Sequence, residues 1–127
     1  MIAVDTSALM AIVLNEPEAD AFAVALEAEE KLLISSGTVA EVLIVAARRN
    51  VGEEMERLIE GLGFEIVSIT PASARRIARA YESWGKGVHP AGLNFGDCFA
   101  YEVAKEHGCP LLFVGKDFAL TDVAGVL

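Results

Sequence analysis

The sequence predicts an α/β fold. A mostly parallel central sheet of four to five strands carries helices on both faces, in a three-layer sandwich. Three observations carry this. Short apolar runs (IAV, LLIS, FEIVSI, PLLFV) alternate with longer segments of helical length, the order of strands joined by helical crossovers. The first run is apolar throughout, as a strand covered on both faces must be. Acids stand just past apparent strand ends, Asp5 after the first and Asp117 a few residues after the fourth. In doubly wound sheets, sites form beyond the carboxyl ends of the strands.

Each element has a local reason. Ile2 to Val4 form the first strand and Asp5 ends it. SALMAIVLN has helical length and stops before Pro17. PEADAFAVALEAEE begins with a proline suited to a helix start and spaces Ala19, Phe22, Ala23 and Leu26 on one face. LLIS is the second strand. SGTVAEVLIVAARRN is a third helix, apolar on nearly all sides and therefore expected to be buried. VGEEMERLIEGLG is a fourth, closed by Gly61 or Gly63. FEIVSI is the third strand. TPASARRIARAYESW is a fifth helix with Ala74, Ile77, Ala78 and Tyr81 expected inward. A Gly/Pro-rich loop, GKGVHPAGLN, leads to a sixth helix, GDCFAYEVAKEHG, ended by Gly108. PLLFV is the fourth strand, and GKDFALTD is a loop before a short tail.

At 127 residues the chain is read as one domain, 1–127. Its apolar fraction is 54%, but no apolar run reaches the roughly 20 residues of a membrane span. The surplus is assigned to the core and to a self-association or partner surface. The N-terminus lacks the basic region of a signal peptide. Cys98 and Cys109 are in no metal-binding spacing and fit buried thiols in a reducing, cytoplasmic setting.

The net charge of −9 argues against a nucleic-acid binder when taken alone. Distribution qualifies it. Most Glu residues lie in solvated helical stretches such as LEAEE and GEEMERLIEG, whereas four of the five Asp residues stand at element ends or in the last loop. Asp5, Thr6 or Ser7 could cap the first helix, or Asp5 could wall an acidic site. Glu41 has no basic partner at helical spacing and shares a face with Ile44 and Val45. It either completes a capping box with Thr38 or points inward as a functional acid. Asp97 is a first-turn acid, and Asn94 could cap in its place, freeing Asp97. Asp117 and Asp122 default to turn formation. Together, Asp5, Glu41, Asp97 and Asp117 would converge at one sheet edge. Carboxylates gathered without cations raise one another's pKa or hold a metal, and an all-oxygen set suits Mg²⁺ or Mn²⁺.

The spacing of VDTSAL, TVAEVLI and LNFGDCFAYEVAKEHGCPLLFVGKDF resembles the PIN-domain endoribonuclease toxins of the VapC type, over essentially the whole chain. The resemblance implies a PIN-like sandwich and a metal-dependent ribonuclease, the toxin half of a toxin–antitoxin pair. It implies Mg²⁺, with Mn²⁺ as substitute, held by Asp5 and Asp97 and completed by Glu41. Thr6 or Ser7 would orient water or phosphate, and Asn94 would support Asp97. Many relatives carry an Asp two residues before the Asp-Phe pair. Here that position is Gly115, so Asp117 stands as the fourth acid with Asp122 in reserve.

Basic groups must then supply affinity for the RNA backbone. Arg48 lies two turns beyond Glu41, and Lys86 and His89 sit in the loop before Asp97 beside Trp84. A cation-and-aromatic loop can grip single-stranded RNA. Arg75, Arg76 and Arg79 read as surface, Trp84 as a core plug, and Cys98 as no nucleophile. A homodimer is the family expectation, with a VapB-type antitoxin docked on the third and fourth helices and a basic segment on the acids. Two other readings stand beside this. A phospho-receiver module would need an Asp ending a middle strand, where Ser68 to Thr70 has none. A catalytically inactive PIN-like RNA- or protein-binding module is favoured by Gly115 and opposed by the three acids.

Overall fold

A computed structural model describes residues 1–127. Four strands form one sheet: β1 (Ile2–Val4), β2 (Leu32–Ser35), β3 (Glu65–Val67) and β4 (Leu111–Leu112), in the order β3-β2-β1-β4. Every pair is parallel, with Ile2 opposite Leu32, Leu33 opposite Glu65 and Val4 opposite Leu112. Six helices connect them: α1 (Thr6–Val13), α2 (Ala19–Glu27), α3 (Ser36–Arg48), α4 (Gly52–Leu62), α5 (Pro71–Trp84) and α6 (Phe95–Glu106). A 3₁₀ turn follows at Phe118–Leu120.

Strand alternation divides the core into two layers. Ile2, Val4, Leu32, Ile34 and Leu112 face α1 to α4, packing on Leu9, Phe22, Val42 and Met55. Ala3, Leu33 and Leu111 face the other way, onto Ile77 and Ala80 of α5 and Cys98 and Val103 of α6. This is the expected three-layer arrangement with four strands. β1 and β2 are central and fully buried, whereas β3 is a half-exposed edge, with Ile66 51% accessible.

Three packing expectations are corrected. Helix α3 is not buried all round. It turns Thr38, Val42 and Ala46 inward and leaves Ile44 60% exposed. The inner face of α5 is Ser73, Ile77 and Ala80 with half-buried Trp84, so of the four residues expected there only Ile77 belongs. Arg76 fits this rotation. It is half-buried, not free surface, and its Nε donates to Glu102 of α6 at 3.0 Å and lies 3.3 Å from Glu106. Glu102 is itself buried, and a buried carboxylate requires such a partner. Finally, α4 ends at Gly63, whose φ of +65° is the left-handed C-cap conformation.

Both cysteines are free and buried. No helix is long and apolar enough to cross a membrane.

The Arg76–Glu102 pair generates a stability prediction. Arg76→Ala strands a buried carboxylate and is expected to cost about 1–3 kcal/mol in urea unfolding at pH 7, the partial exposure of Arg76 keeping it below a fully buried pair. Lys31→Ala, which removes an exposed pair with Glu65, should stay within about 0.5 kcal/mol of wild type. Equal effects would refute the role given to Glu102.

Candidate active site

The carboxyl ends of β1, β2 and β4 lie at one sheet edge, and α1 and α3 start there without a linker. Asp5 follows β1 directly and is 3% exposed. It is the N-cap of α1: its Oδ2 accepts the Ser7 backbone N–H at 3.0 Å and the Ser7 hydroxyl at 2.6 Å. Ser7 Oγ in turn accepts the Val114 N–H at 2.9 Å, tying the segment after β4 to the first helix. Asp5 Oδ1 is buried without any hydrogen-bond partner. Capping therefore falls to Asp5 itself, not to Thr6 or Ser7, and uses one of its two oxygens.

Glu41 lies in the second turn of α3, because Ser35 caps the helix by accepting the Gly37 N–H. The Thr38–Glu41 capping box does not form. Thr38 Oγ1 is buried without a partner, and Glu41 Oε1 instead accepts the Thr6 hydroxyl at 2.6 Å. The inward alternative for Glu41 is the one the structure takes.

At α6, Asn94 is the cap, accepting the Asp97 N–H at 2.8 Å, while Asp97 Oδ2 accepts the Asn94 N–H at 3.0 Å. This is a reciprocal capping box. Asp97 is thus only half released by Asn94: one oxygen completes the box and the other remains.

The acids feel one another. Burial pushes the Asp5 carboxyl from 3.8 up to about 6, against the lowering pull of its Ser7 hydrogen bonds, with the charges of Asp97 and Glu41 adding to the rise. Burial likewise raises Asp97, opposed by the Asn94 N–H and reinforced by Glu41 and Asp117. The structure thus brings Asp5, Glu41, Asp97 and Asp117 into one electrostatic neighbourhood. It does not bring in Asp122, which accepts the Tyr101 hydroxyl at 2.5 Å, lies 3.2 Å from Lys105 and is held below its ordinary value, chiefly by the Tyr101 bond. Asp122 is therefore removed from the reserve position. Gly115 has φ +102°, so an Asp there would be strained in this loop.

The donor chemistry fits a hard divalent cation. It is all oxygen, and Asp5 Oδ1 is a buried carboxylate oxygen without a hydrogen-bond partner. No three His, Cys, Asp or Glu side chains are grouped at ligating distance. Glu41 and Asp97 are hydrogen-bonded to Thr6 and Asn94.

Around this edge, a groove of ≈ 350 Å³ runs from Glu41 between α3 and α6, walled by Ile44, Val45, Phe95 and Phe99. Phe95 is 69% exposed. The apolar surface around this groove is thus on α3 and α6; α4 turns Met55, Leu58 and Ile59 into the core. Arg48 and Lys86 are exposed, and the Lys86 N–H pairs with Leu93, next to the α6 cap. His89 is taken up by its own loop: Nδ1 accepts the Ala91 N–H at 3.0 Å and the ring stands edge-on to Trp84. Trp84 donates to Tyr101, as a core plug would. Cys98 is raised to about 11 by burial and the Asp97 charge, which removes it as a nucleophile. Lys116, exposed beside Asp117, was not singled out in the sequence; only its place in the GKDF loop could have flagged it.

Asp5 gives a pH prediction. Its folded pKa lies above the unfolded one, so the unfolded chain loses the proton first as pH rises. Stability falls between about pH 4 and 6 and stays lower above that window. The difference between 3.8 and about 6 corresponds to about 3 kcal/mol. Asn caps as well as Asp, so in EDTA Asp5→Asn should be more stable than wild type by up to about 3 kcal/mol at pH 8 and nearly equal at pH 4. Chemical denaturation at both pH values measures this, and an unchanged gap would contradict a buried ionised Asp5.

The chain is similar to known proteins in sequence and in fold. The PIN domain family model matches residues 2–124. The chain is 41% identical over 126 residues to Ribonuclease VapC30 of Mycobacterium tuberculosis, covering 97% of this chain and 96% of that protein. It is 40% identical to Ribonuclease VapC of Mycolicibacterium smegmatis, covering 97% and 98%. Among solved structures, Mycobacterium tuberculosis VapC20, a Sarcin-Ricin loop cleaving toxin, matches with a TM-score of 0.81 over 99% of this chain and 98% of its own, at 13% identity. A toxin–antitoxin complex from Klebsiella pneumoniae gives 0.69 at 24% identity, covering 94% and 91%. Those two likenesses are of fold. The family model and the sequence relatives settle membership: the chain belongs to the PIN-domain family, among the VapC ribonucleases.

Proposed function

We propose that the chain, as one PIN-like domain over 1–127, is an endoribonuclease that hydrolyses RNA phosphodiester bonds with Mg²⁺, or Mn²⁺ in its place. The carrying observation is Asp5: a buried carboxylate with one oxygen unpartnered, raised by burial and by two further acids. Asp5 and Asp97 would hold the cation, with Glu41 completing its surroundings and Asp117 at the rim. A divalent cation so held supplies charge for a phosphoryl oxygen and lowers the pKa of water.

The chain's own residues do the rest. Ser7 fixes Asp5 by two hydrogen bonds and so sets which oxygen faces the site. Thr6 holds Glu41 through its hydroxyl, keeping a carboxylate where it can take a proton from an attacking water. Asn94 orients Asp97 through the capping box. Arg48, Lys86 and Lys116 meet phosphates, and Phe95 offers a face to an unpaired base.

The partner follows from the groove. A VapB-type antitoxin would cover Ile44 and Phe95 and set a basic side chain against the acids, where Arg binds carboxylate in bidentate fashion. A homodimer and a cytoplasmic location complete the reading. The inactive binding module keeps one argument, Gly115 at the usual fourth-acid position, and the same experiment separates it.

Labelled total RNA is incubated with wild type or Asp97→Asn in EDTA, Mg²⁺ or Mn²⁺. Cleavage should require metal and fall about a hundredfold or more in the variant, since even outer-shell losses at metal sites reach that size. Sequencing the new ends names the target. A folded, antitoxin-free protein that cuts nothing under any metal would overturn the proposal in favour of the binding module.

A further inference from the structure

Helices α3 and α6 exchange side chains at the site through two glycines. A Cβ at Gly37 of α3 would lie 2.7 Å from the ring of Phe99 of α6. A Cβ at Gly96 of α6 would lie 1.8 Å from Oε2, 2.4 Å from Cδ and 2.8 Å from Oε1 of Glu41 on α3. Each helix thus carries a glycine that receives a side chain of the other.

Gly96 has no conformational reason to be glycine. It lies inside α6 without a left-handed backbone, where alanine is the better helix residue. It is buried. The three atoms nearest to a Cβ there all belong to the Glu41 carboxylate. The same carboxylate is held from its other side by the Thr6 hydroxyl at 2.6 Å. Glu41 is therefore seated between α1 and the first turn of α6, one residue from Asp97. Unpaired N–H groups at a helix start favour an anion there.

We infer that Gly96 is a positioning residue for the acidic site: its missing Cβ is the seat that holds the Glu41 carboxylate beside Asp97 and Asp5. This rests on the reading of those acids as a metal site. Adding one methyl at 96 displaces Glu41 without touching a charge. Shortening Glu41 by one methylene returns the space.

The test titrates Mn²⁺ into the full chain by calorimetry, with thermal unfolding in EDTA as control. Gly96→Ala should weaken Mn²⁺ binding about tenfold or more while melting at or above the wild-type temperature. Gly96→Ala combined with Glu41→Asp should bind Mn²⁺ more tightly than Gly96→Ala alone, although Glu41→Asp in the wild-type background weakens binding. Wild-type affinity in Gly96→Ala, no rescue in the double variant, or no Mn²⁺ binding by the wild type each overturns the assignment. Should Gly96→Ala fail to fold, Gly96→Ala with Glu41→Ala must fold, because the obstruction is gone; failure there also overturns it. RNA cleavage is followed in parallel. The predicted Mn²⁺ pattern without cleavage by the wild type would uphold the seat and sink the nuclease reading.

Discussion

A carboxylate buried at the end of the first strand, with one oxygen unpartnered, is the constraint around which the other parts are arranged. Burying a charge without a counter-charge is unfavourable, and Asp5 has no cation among its contacts. Its two hydrogen bonds from Ser7 offset part of the cost. The neighbouring acids add to it. A fold selected for stability alone would place an Asn here, which caps equally well. Retaining the acid makes sense where the missing counter-charge arrives as a ligand, and places where local rules are broken tend to be functional.

The topology then explains why the acids meet. All strand pairs are parallel, so the ends of β1, β2 and β4 share one edge and the helices leaving β1 and β2 begin there. The α6 start is brought to the same edge by the loop closed between Gly85 and Leu93. Helix starts need acceptors for their first N–H groups, and here the acceptors are also the site acids. Asp5 gives Oδ2 to Ser7, and Asp97 gives Oδ2 to Asn94. In each case the second oxygen stays available. Capping and the proposed catalytic role are therefore not rival explanations of these residues, because a carboxylate has an oxygen for each. The same economy fails at Thr38, which would have been a cap only if α3 began three residues later than Ser36.

What the sequence revealed follows from range. The strands β1 and β2, the six helices and the helix starts at Asp5 and Asn94 depend on neighbours a few residues away, so period and capping chemistry disclosed them. The sheet-edge clustering of Asp5, Glu41 and Asp97 was legible because parallel α/β topology imposes it. The inner face of α5 was not, because it is turned by a partner on another helix: Arg76 reaches Glu102 across 26 positions. Asp122 was misjudged for the same reason, since Tyr101 and Lys105 claim it. The Gly96–Glu41 contact spans 55 positions (41 to 96) and leaves no periodic trace. A glycine in GDCF reads as a turn residue until the opposing helix is in place.

The remaining tension is charge: a chain of net −9 must hold a polyanion. Counting cations does not resolve it, but sorting them by partner does. Arg76, Lys105, Lys31 and Arg57 are engaged by Glu102, Asp122, Glu65 and Glu54. Those left without an ion pair include Arg48 and Arg49 at the end of α3, Lys86 in the loop leading to Asn94, and Lys116 beside Asp117. Arg48 stands two turns from Glu41 on its own helix, about 10 Å along the axis. Lys116 adjoins an acid whose charge Asp97 feels. None of the acids in those pairs is Asp5, Glu41, Asp97 or Asp117. A net negative surface then limits indiscriminate binding to nucleic acid. On the proposed reading, the unpaired cations give a phosphate somewhere to land, and their placement, not the sum, is what an RNA backbone would meet.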